Sequence, residues 1–258
     1  MKFVTFNIRY SWDADGINSF PLRAGMILCK IDTQKPDVIC FQEVSDKIGE
    51  FLKAHLPEYN FTGHGRDADY TGEAMLTAVK KDSYDILSSE VFWLSPTPEI
   101  PGSRYPTQNV CRRTCNVTVV KEKSSGKTLK VYNTHFDYEV EPTVRMQEAE
   151  QIAARITEDN AKLSMPFVLA GDFNSSPDSE IIKHIQNNTT PKLSDVAGGF
   201  AQTFHNFGKF EAVHKDFKKI DYIFIPPSVK AGKPTLWDDA FNGVWLSDHY
   251  PIEAELKF

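Results

Sequence analysis

Gly171-Asp172-Phe173-Asn174 follows the apolar run of residues 166–170, and Ser247-Asp248-His249-Tyr250-Pro251-Ile252 leads into the apolar C-terminal segment. Each stretch puts acidic and polar side chains where a buried strand ends. In a strand, Asp172 and Asn174 share one face, because successive side chains alternate. Gly171 allows a close backbone approach, and Pro177 helps a helix to start beyond it. The same letters also fit an ordinary Asx turn before a helix. The choice between these readings rests on the rest of the chain.

Outward from these two stretches, strand signals dominate. Residues 2–8 predict a first strand, and a loop runs from Tyr10 to Phe20. A helix from about Leu22 to Gln34 stops before Pro36. Asp37-Val-Ile-Cys-Phe-Gln-Glu43 reads as a central buried strand, followed by a short helix near 45–55 that ends at Pro57. Strands are expected near 73–80, 84–94, 112–121 and 127–135, the last two joined by the hairpin signal Lys123-Ser124-Ser125-Gly126-Lys127. Pro142 opens the clearest helix, in which Ala149, Ile152, Ala153 and Ile156 recur at helical spacing. A strand at 166–172, a helix after Pro177, and strands at 220–225 and 249–257 complete the pattern, with one or two weaker strands between. Residues 95–110, with four prolines, read as a surface loop near the site. Strands, hairpins and helices intermingled in this way suggest two packed sheets with helices outside.

The totals narrow the function. Hydrophobic residues make up 41% and charged residues 25%, a globular balance with ample core material. A net charge of -6 leaves no cationic field to attract long DNA or RNA. Nucleotide or head-group substrates stay compatible, since a bound metal supplies local positive charge. No run of about 18 apolar residues predicts a membrane span, and the N-terminus reads as a strand rather than a signal. Cys111 and Cys115, four apart in a strand-like run, would stand about 13 Å from each other, too far to bridge. Cys29 and Cys40 sit among apolar neighbours. Four reduced, mostly buried thiols fit a cytoplasmic protein.

Single polar residues then recur at strand ends. Asn7 ends the first strand, and Glu43 ends the strand whose residues 38–41 are apolar. His135 sits at the end of Asn133-Thr134-His135-Phe136-Asp137, and Asp221 interrupts the apolar Ile220–Phe224. Asp248 and His249 precede the last strand. Taken singly, Glu43 reads as an exposed strand end or a ligand, and Asn7 as a turn residue. Taken together, six strand ends bear groups able to ligate metal, bind phosphate or move a proton. They span residues 7 to 249, so both ends of the chain must meet at one site, which argues for one domain over 1–258.

This order of motifs resembles the endonuclease/exonuclease/phosphatase superfamily with its DNase I-like fold. The carrying stretches are Thr5-Phe6-Asn7, Phe41-Gln42-Glu43-Val44, Asn133–Asp137, Gly171–Asn174, Ile220–Phe224 and Ser247-Asp248-His249. Phe92-Trp93-Leu94-Ser95 and the stretch around Arg145 and Gln147 look like a compact bacterial-type branch related to deadenylase and nocturnin-like members. The resemblance implies an α/β (α+β) four-layer α/β/β/α sandwich, two mixed β-sheets face to face with helices outside. It implies Mg²⁺ or Mn²⁺, held by Glu43 with Asn7 and Asp248 nearby. Asp172 would orient or deprotonate the attacking water, and Asn174 would hold that water or a phosphate oxygen. His249, its ring held by Asp221, would contact the scissile phosphate, and His135 would stabilise the transition state.

The chemistry of the residues agrees, since hard oxygen donors select Mg²⁺ or Mn²⁺ over zinc. The expected activity is metal-dependent hydrolysis of a phosphodiester or phosphomonoester, with a phosphorylated small molecule or short nucleic acid as partner and no protein partner indicated. An inositol-phosphate or phospholipid head-group substrate, and a non-catalytic binding module on the same scaffold, are the alternatives. Arg113 and Arg145 are candidates to grip a second phosphate, or else surface salt bridges. Trp12, Tyr105 and Phe207 are stacking platforms or packing residues. Lys215, Lys218 and Lys219 read as a solvated face.

Overall fold

A computed structural model describes residues 1–139, 141–209 and 218–258. The first half of the chain forms β1 (Lys2–Asn7), α1 (Phe20–Gln34), β2 (Val38–Val44), α2 (Asp46–His55), β3 (Tyr59–Thr62), β4 (Ala74–Lys80), β5 (Tyr84–Trp93) and β6 (Thr114–Glu122). The second half forms β7 (Thr128–His135), α3 (Thr143–Lys162), β8 (Phe167–Asp172), α4 (Glu180–Asn188), β9 (Ser194–Asp195) and β10 (Asp221–Ile225). The short β11 (Lys230–Ala231), β12 (Thr235–Leu236), β13 (Ala240–Phe241) and β14 (Val244–Trp245) then lead to β15 (Ile252–Lys257).

Two sheets result. One is ordered β11-β15-β1-β2-β4-β3, with β12 also on β15, and the other β5-β6-β7-β8-β10-β9. Pairs β1/β2 and β7/β8 are parallel while β1/β15 and β8/β10 are antiparallel, so both sheets are mixed. Side-chain alternation assigns the faces. Val4, Phe6, Ile39 and Phe41 point outward and bury the apolar stripe of α1 and α2. Tyr132, Leu169, Tyr222 and Phe224 point outward on the second sheet, against α3 and α4. Phe3, Val38, Cys40, Val131, Val168, Ala170 and Ile223 pack between the sheets. The outcome is four layers, helix, sheet, sheet, helix, as the family resemblance implied.

Parity then fixes the site. Asn7 has the inward parity of Phe3, His135 that of Val131, Asp172 that of Val168 and Ala170, and Asp221 that of Ile223. The inner core turns polar as these ends approach. Gln42 Nε2 donates to Asn133 Oδ1 across the sheets at 2.7 Å, and Asn133 Nδ2 donates to the carbonyls of Phe41 and Leu76. These amides are fully buried, and each bond replaces water that the strand ends would otherwise need.

Several sequence expectations shift. Helix α1 starts at Phe20 rather than Leu22, because Pro21 suits a first turn that needs no N–H. The final strand starts at Ile252, leaving Asp248 and His249 in the loop before it. Cys111 precedes β6 instead of lying in it, and Cys29 is exposed on α1, so only Cys40 and Cys115 are buried thiols; all four are unpaired. The 95–110 loop runs over the surface as expected, but Ser95, Tyr105 and Gln108 are buried and anchor it to the body of the protein. Lys219 is buried, donating to Asp195 Oδ2 at 2.8 Å, so it belongs to no solvated face, and Lys215 lies outside the described residues. Among the described residues, no helix is long and apolar enough to cross a membrane.

Gly171 has φ +146, and a Cβ there would stand 1.9 Å from the Thr134 carbonyl oxygen on neighbouring β7. The replacement Gly171→Ala is expected to cost ~3 kcal/mol or more in urea unfolding, through strain and a forced separation of β7 and β8. A loss under ~1 kcal/mol would contradict this close approach.

Candidate active site

Three of the polar strand ends stand side by side. His135 of β7 is the register partner of Asp172 on β8, and Asp172 is the partner of Asp221 on β10. All three are buried at the end of the inner face. The loop carrying Asp248 and His249 is laid over them by residues 203–206. Its Asp248 carbonyl accepts from the N–H groups of His205 and Asn206, and Tyr250 N donates to Thr203 O. The Thr203 hydroxyl in turn accepts from Ile220 N and Asp221 N. His249 therefore enters between the acids, its Nδ1 2.9 Å from Asp221 Oδ2 and its Nε2 3.8 Å from Asp172 Oδ2.

The first sheet supplies the opposite wall. Strict alternation would turn Glu43 away from the inner face that Gln42 occupies. A register shift between Phe41 and Val44, with Glu43 at φ +59, re-aims it. Its Oε1 accepts from Asn7 Nδ2 at 3.1 Å and its Oε2 from Tyr10 N at 2.8 Å. The same Asn7 nitrogen donates to Asp172 Oδ2 at 3.0 Å, joining the two sheets at the site. Asn174, also at positive φ, donates to His135 Nε2 and to Phe136 O. Glu43, His135, Asp172, Asn174, Asp248 and His249 line one cavity of about 730 Å³.

Charge is distributed unevenly. Burial opposes the charged His249 ring, but Asp221, Asp172 and Asp248 outweigh it and raise His249 to about 10. Burial and the neighbouring Asp221 push the Asp172 carboxyl up. Burial likewise raises Asp248, with Glu43 adding to it. Burial would raise Glu43 too, yet the histidine charges and the Tyr10 N–H hold it below the ordinary range.

Glu73, Arg66 and Arg9 are the residues sequence reasoning missed. Buried Glu73 lies 3.3 Å from His135 Nδ1, an ion-pair contact without good hydrogen-bond alignment, and contacts Arg66 Nη1 at 2.8 Å and Arg113 Nη1 at 3.5 Å. Burial works against its charge, but His135, Arg113 and Arg66 pull it down to about 2. Glu73 stands one residue before β4, a strand-start acid with no motif around it. Arg113 is buried and lines the cavity, so it is not a surface salt bridge. Arg145 is buried at the start of α3, near Asp137 and Glu148, and is not among the cavity-lining residues. Trp12 packs on Phe20, Tyr105 donates to Gln147 O and Gln151 Oε1, and Phe207 lies against the Arg23 guanidinium. The aromatic residues that line the cavity are instead Tyr10, Tyr138 and Phe204.

The donor set fits a hard divalent cation on one side of the cavity. Glu43, Asp248 and Asn7 offer carboxylate and amide oxygens, and the mutual repulsion of Glu43 and Asp248 is what a cation relieves. Asp172, Asp221 and His249 also place ligand atoms within 4.8 Å of one another. That trio is an acid–imidazole–acid chain, and a ring held protonated by two carboxylates has no lone pair for a metal.

Mixed sheets, outer helices and a pocket of carboxylates and imidazoles define a phosphoester-hydrolase architecture. The family model described as endonuclease/exonuclease/phosphatase matches residues 4–249, and the chain belongs to that family. An endonuclease/exonuclease/phosphatase from Bacteroides vulgatus is 32% identical, with a TM-score of 0.89 over 99% of this chain and 98% of that one. A mannosyl-6-phosphatase of Bacteroides thetaiotaomicron is 24% identical, with a TM-score of 0.87 over all of both chains. The human nocturnin catalytic domain shares the fold at 16% identity, with a TM-score of 0.74 over 100% of this chain and 94% of that one.

Glu148, buried on α3, accepts from Asp137 N at 2.8 Å behind the His135 loop. Burial raises its carboxyl to about 8, well above the ordinary range of a glutamate. The folded protein keeps this proton over a pH range in which the unfolded chain has lost it, so stability falls as pH rises through that window. Urea unfolding of the wild type should lose of the order of 2–4 kcal/mol more than Glu148→Gln between about pH 5 and 8.5. Parallel pH profiles for the two proteins would refute the assignment.

Proposed function

We propose that the protein is a divalent-metal-dependent phosphoesterase acting on a small phosphorylated molecule or a short nucleic acid by in-line attack of an activated water. The reading is carried by one observation. His135, Asp172 and Asp221 are in register on one sheet with His249 between the acids, and they share a cavity with Glu43 and Asn7 from the other sheet.

Glu43, Asp248 and Asn7 would hold Mg²⁺ or Mn²⁺, which neutralises charge on the phosphoryl oxygens. Asp172 takes the proton of the attacking water, and its raised carboxyl makes it a better base than an exposed aspartate. Asn174 positions the water or a phosphate oxygen through its amide. His249, charged and fixed by Asp221, donates from Nε2 to the phosphate. His135, oriented by Glu73, faces the charge that develops in the transition state. Arg113 takes a second anionic group of the substrate, its buried guanidinium already on the cavity wall.

A cavity of about 730 Å³ suits a small ligand better than a duplex, and the net charge of -6 agrees. The full-length similarity to a mannosyl-6-phosphatase adds sugar phosphates to the nucleotides as substrates to test. The four unpaired cysteines accord with a cytoplasmic location.

With Mn²⁺, a panel of sugar phosphates, nucleotides, short oligonucleotides, phospholipid head groups and bis-p-nitrophenyl phosphate should show turnover that a chelator abolishes. Asp172→Asn and His249→Ala should each lower kcat/KM by about two orders of magnitude or more. Wild-type rates in either variant would remove the roles given to these residues.

A further inference from the structure

Arg9 stands two residues beyond β1 and belongs to none of the roles above. It adopts φ +67, a left-handed conformation that is uncommon for a side chain this long. Its N–H donates to Asn7 Oδ1 at 3.1 Å, so the amide that bridges Glu43 and Asp172 also fixes the Arg9 backbone. The guanidinium is clamped from behind. Nε and Nη2 donate to the two oxygens of Asp15 at 3.2 and 3.1 Å, the bidentate fork that only arginine offers. The third nitrogen, Nη1, points to Asp248 Oδ2 at 3.6 Å, an ion-pair distance beyond a hydrogen bond. Arg9 lines the cavity with its side chain 38% exposed, so a ligand can reach it.

We infer that Arg9 couples metal binding to phosphate binding: it occupies the charge of Asp248 in the free enzyme and transfers its open donor to the phosphoryl group of the substrate. The inference rests on the metal ligands proposed above. Without phosphate, a fixed positive charge beside Asp248 repels a divalent ion. A phosphate dianion accepts from Nη1, offsets that charge, and lets the carboxylate serve the metal. Linkage makes the effect reciprocal, so metal tightens phosphate binding by the same factor. Hydrolysis then meets few enzyme molecules holding metal without substrate. Asp15, outside the carboxylate cluster, keeps the guanidinium from simply folding onto Asp248.

The test is calorimetric titration of Mg²⁺ into the wild type, Arg9→Met and Arg9→Lys, each with and without inorganic phosphate. Without phosphate, Arg9→Met should bind Mg²⁺ about tenfold more tightly than wild type, as removal of a unit charge ~6 Å from a divalent ion predicts under near-aqueous screening. Phosphate should tighten Mg²⁺ about fivefold or more beyond the direct attraction between metal and phosphate in the wild type, and Arg9→Met should keep only that direct part, so its phosphate effect should be at least about fivefold smaller than in the wild type. Arg9→Lys keeps the charge but loses the fork, so its metal affinity without phosphate should match the wild type while the phosphate effect shrinks. This second variant decides the matter if Arg9→Met does not fold. Equal or weaker Mg²⁺ binding in Arg9→Met, or a full phosphate effect in Arg9→Lys, overturns the coupling while leaving the metal site intact. Absence of Mg²⁺ binding by the wild type, with or without phosphate, overturns the metal site itself and the coupling with it.

Discussion

The structure is organised around the cost of gathering carboxylates at one end of the space between two sheets. Glu73, Asp172, Asp221 and Asp248 are buried there, and Glu43 stands beside them. A carboxylate removed from water needs compensation of several kcal/mol, so each must have a partner. Asp221 has His249, Glu73 has His135, Arg66 and Arg113, and Asp248 has Arg9. Glu43 and Asp172 share the Asn7 amide. Most of the polar residues around the cavity answer one of these charges, and the charge left over is spread unevenly along its wall.

The two sheets are held in relative position by polar contacts. An apolar interface between sheets tolerates small slides, whereas the Gln42–Asn133 pair and the Asn133 bonds to Phe41 and Leu76 carbonyls fix one alignment. Asn116 does the same further along, donating to Thr62 and Thr77 across the sheets. These bonds set the width of the cavity, because Asn7 and Glu43 come from one sheet and His135, Asp172 and Asp221 from the other.

Much of this was legible in the sequence. Each polar strand end was visible as a break in an apolar run, and alternation alone gives Asn7, His135, Asp172 and Asp221 their faces. Glu43 was legible only as a motif letter, since a bulge reverses the face that alternation assigns to it. Glu73 escaped because an acid just before a strand looks like any exposed turn residue until Arg66, Arg113 and His135 surround it. Arg113 and Arg145 looked alike, yet one lines the cavity and the other packs behind the His135 loop. Trp12 and Tyr105 took the packing alternative that the sequence left open, since they sit in loops that fold back on the core, whereas Tyr10 and Tyr138 do not.

The sequence by itself determined the period of each element, the apolar faces, and which residue types end the strands, because these follow from local stereochemistry and burial. Only the tertiary structure decided which charges meet. Register places Asp172 between His135 and Asp221, a bulge turns Glu43 inward, and an asparagine at the end of the first strand reaches an aspartate of the eighth. Those meetings depend on contacts between residues up to 165 positions apart, and electrostatic energy is a function of distance in space rather than along the chain.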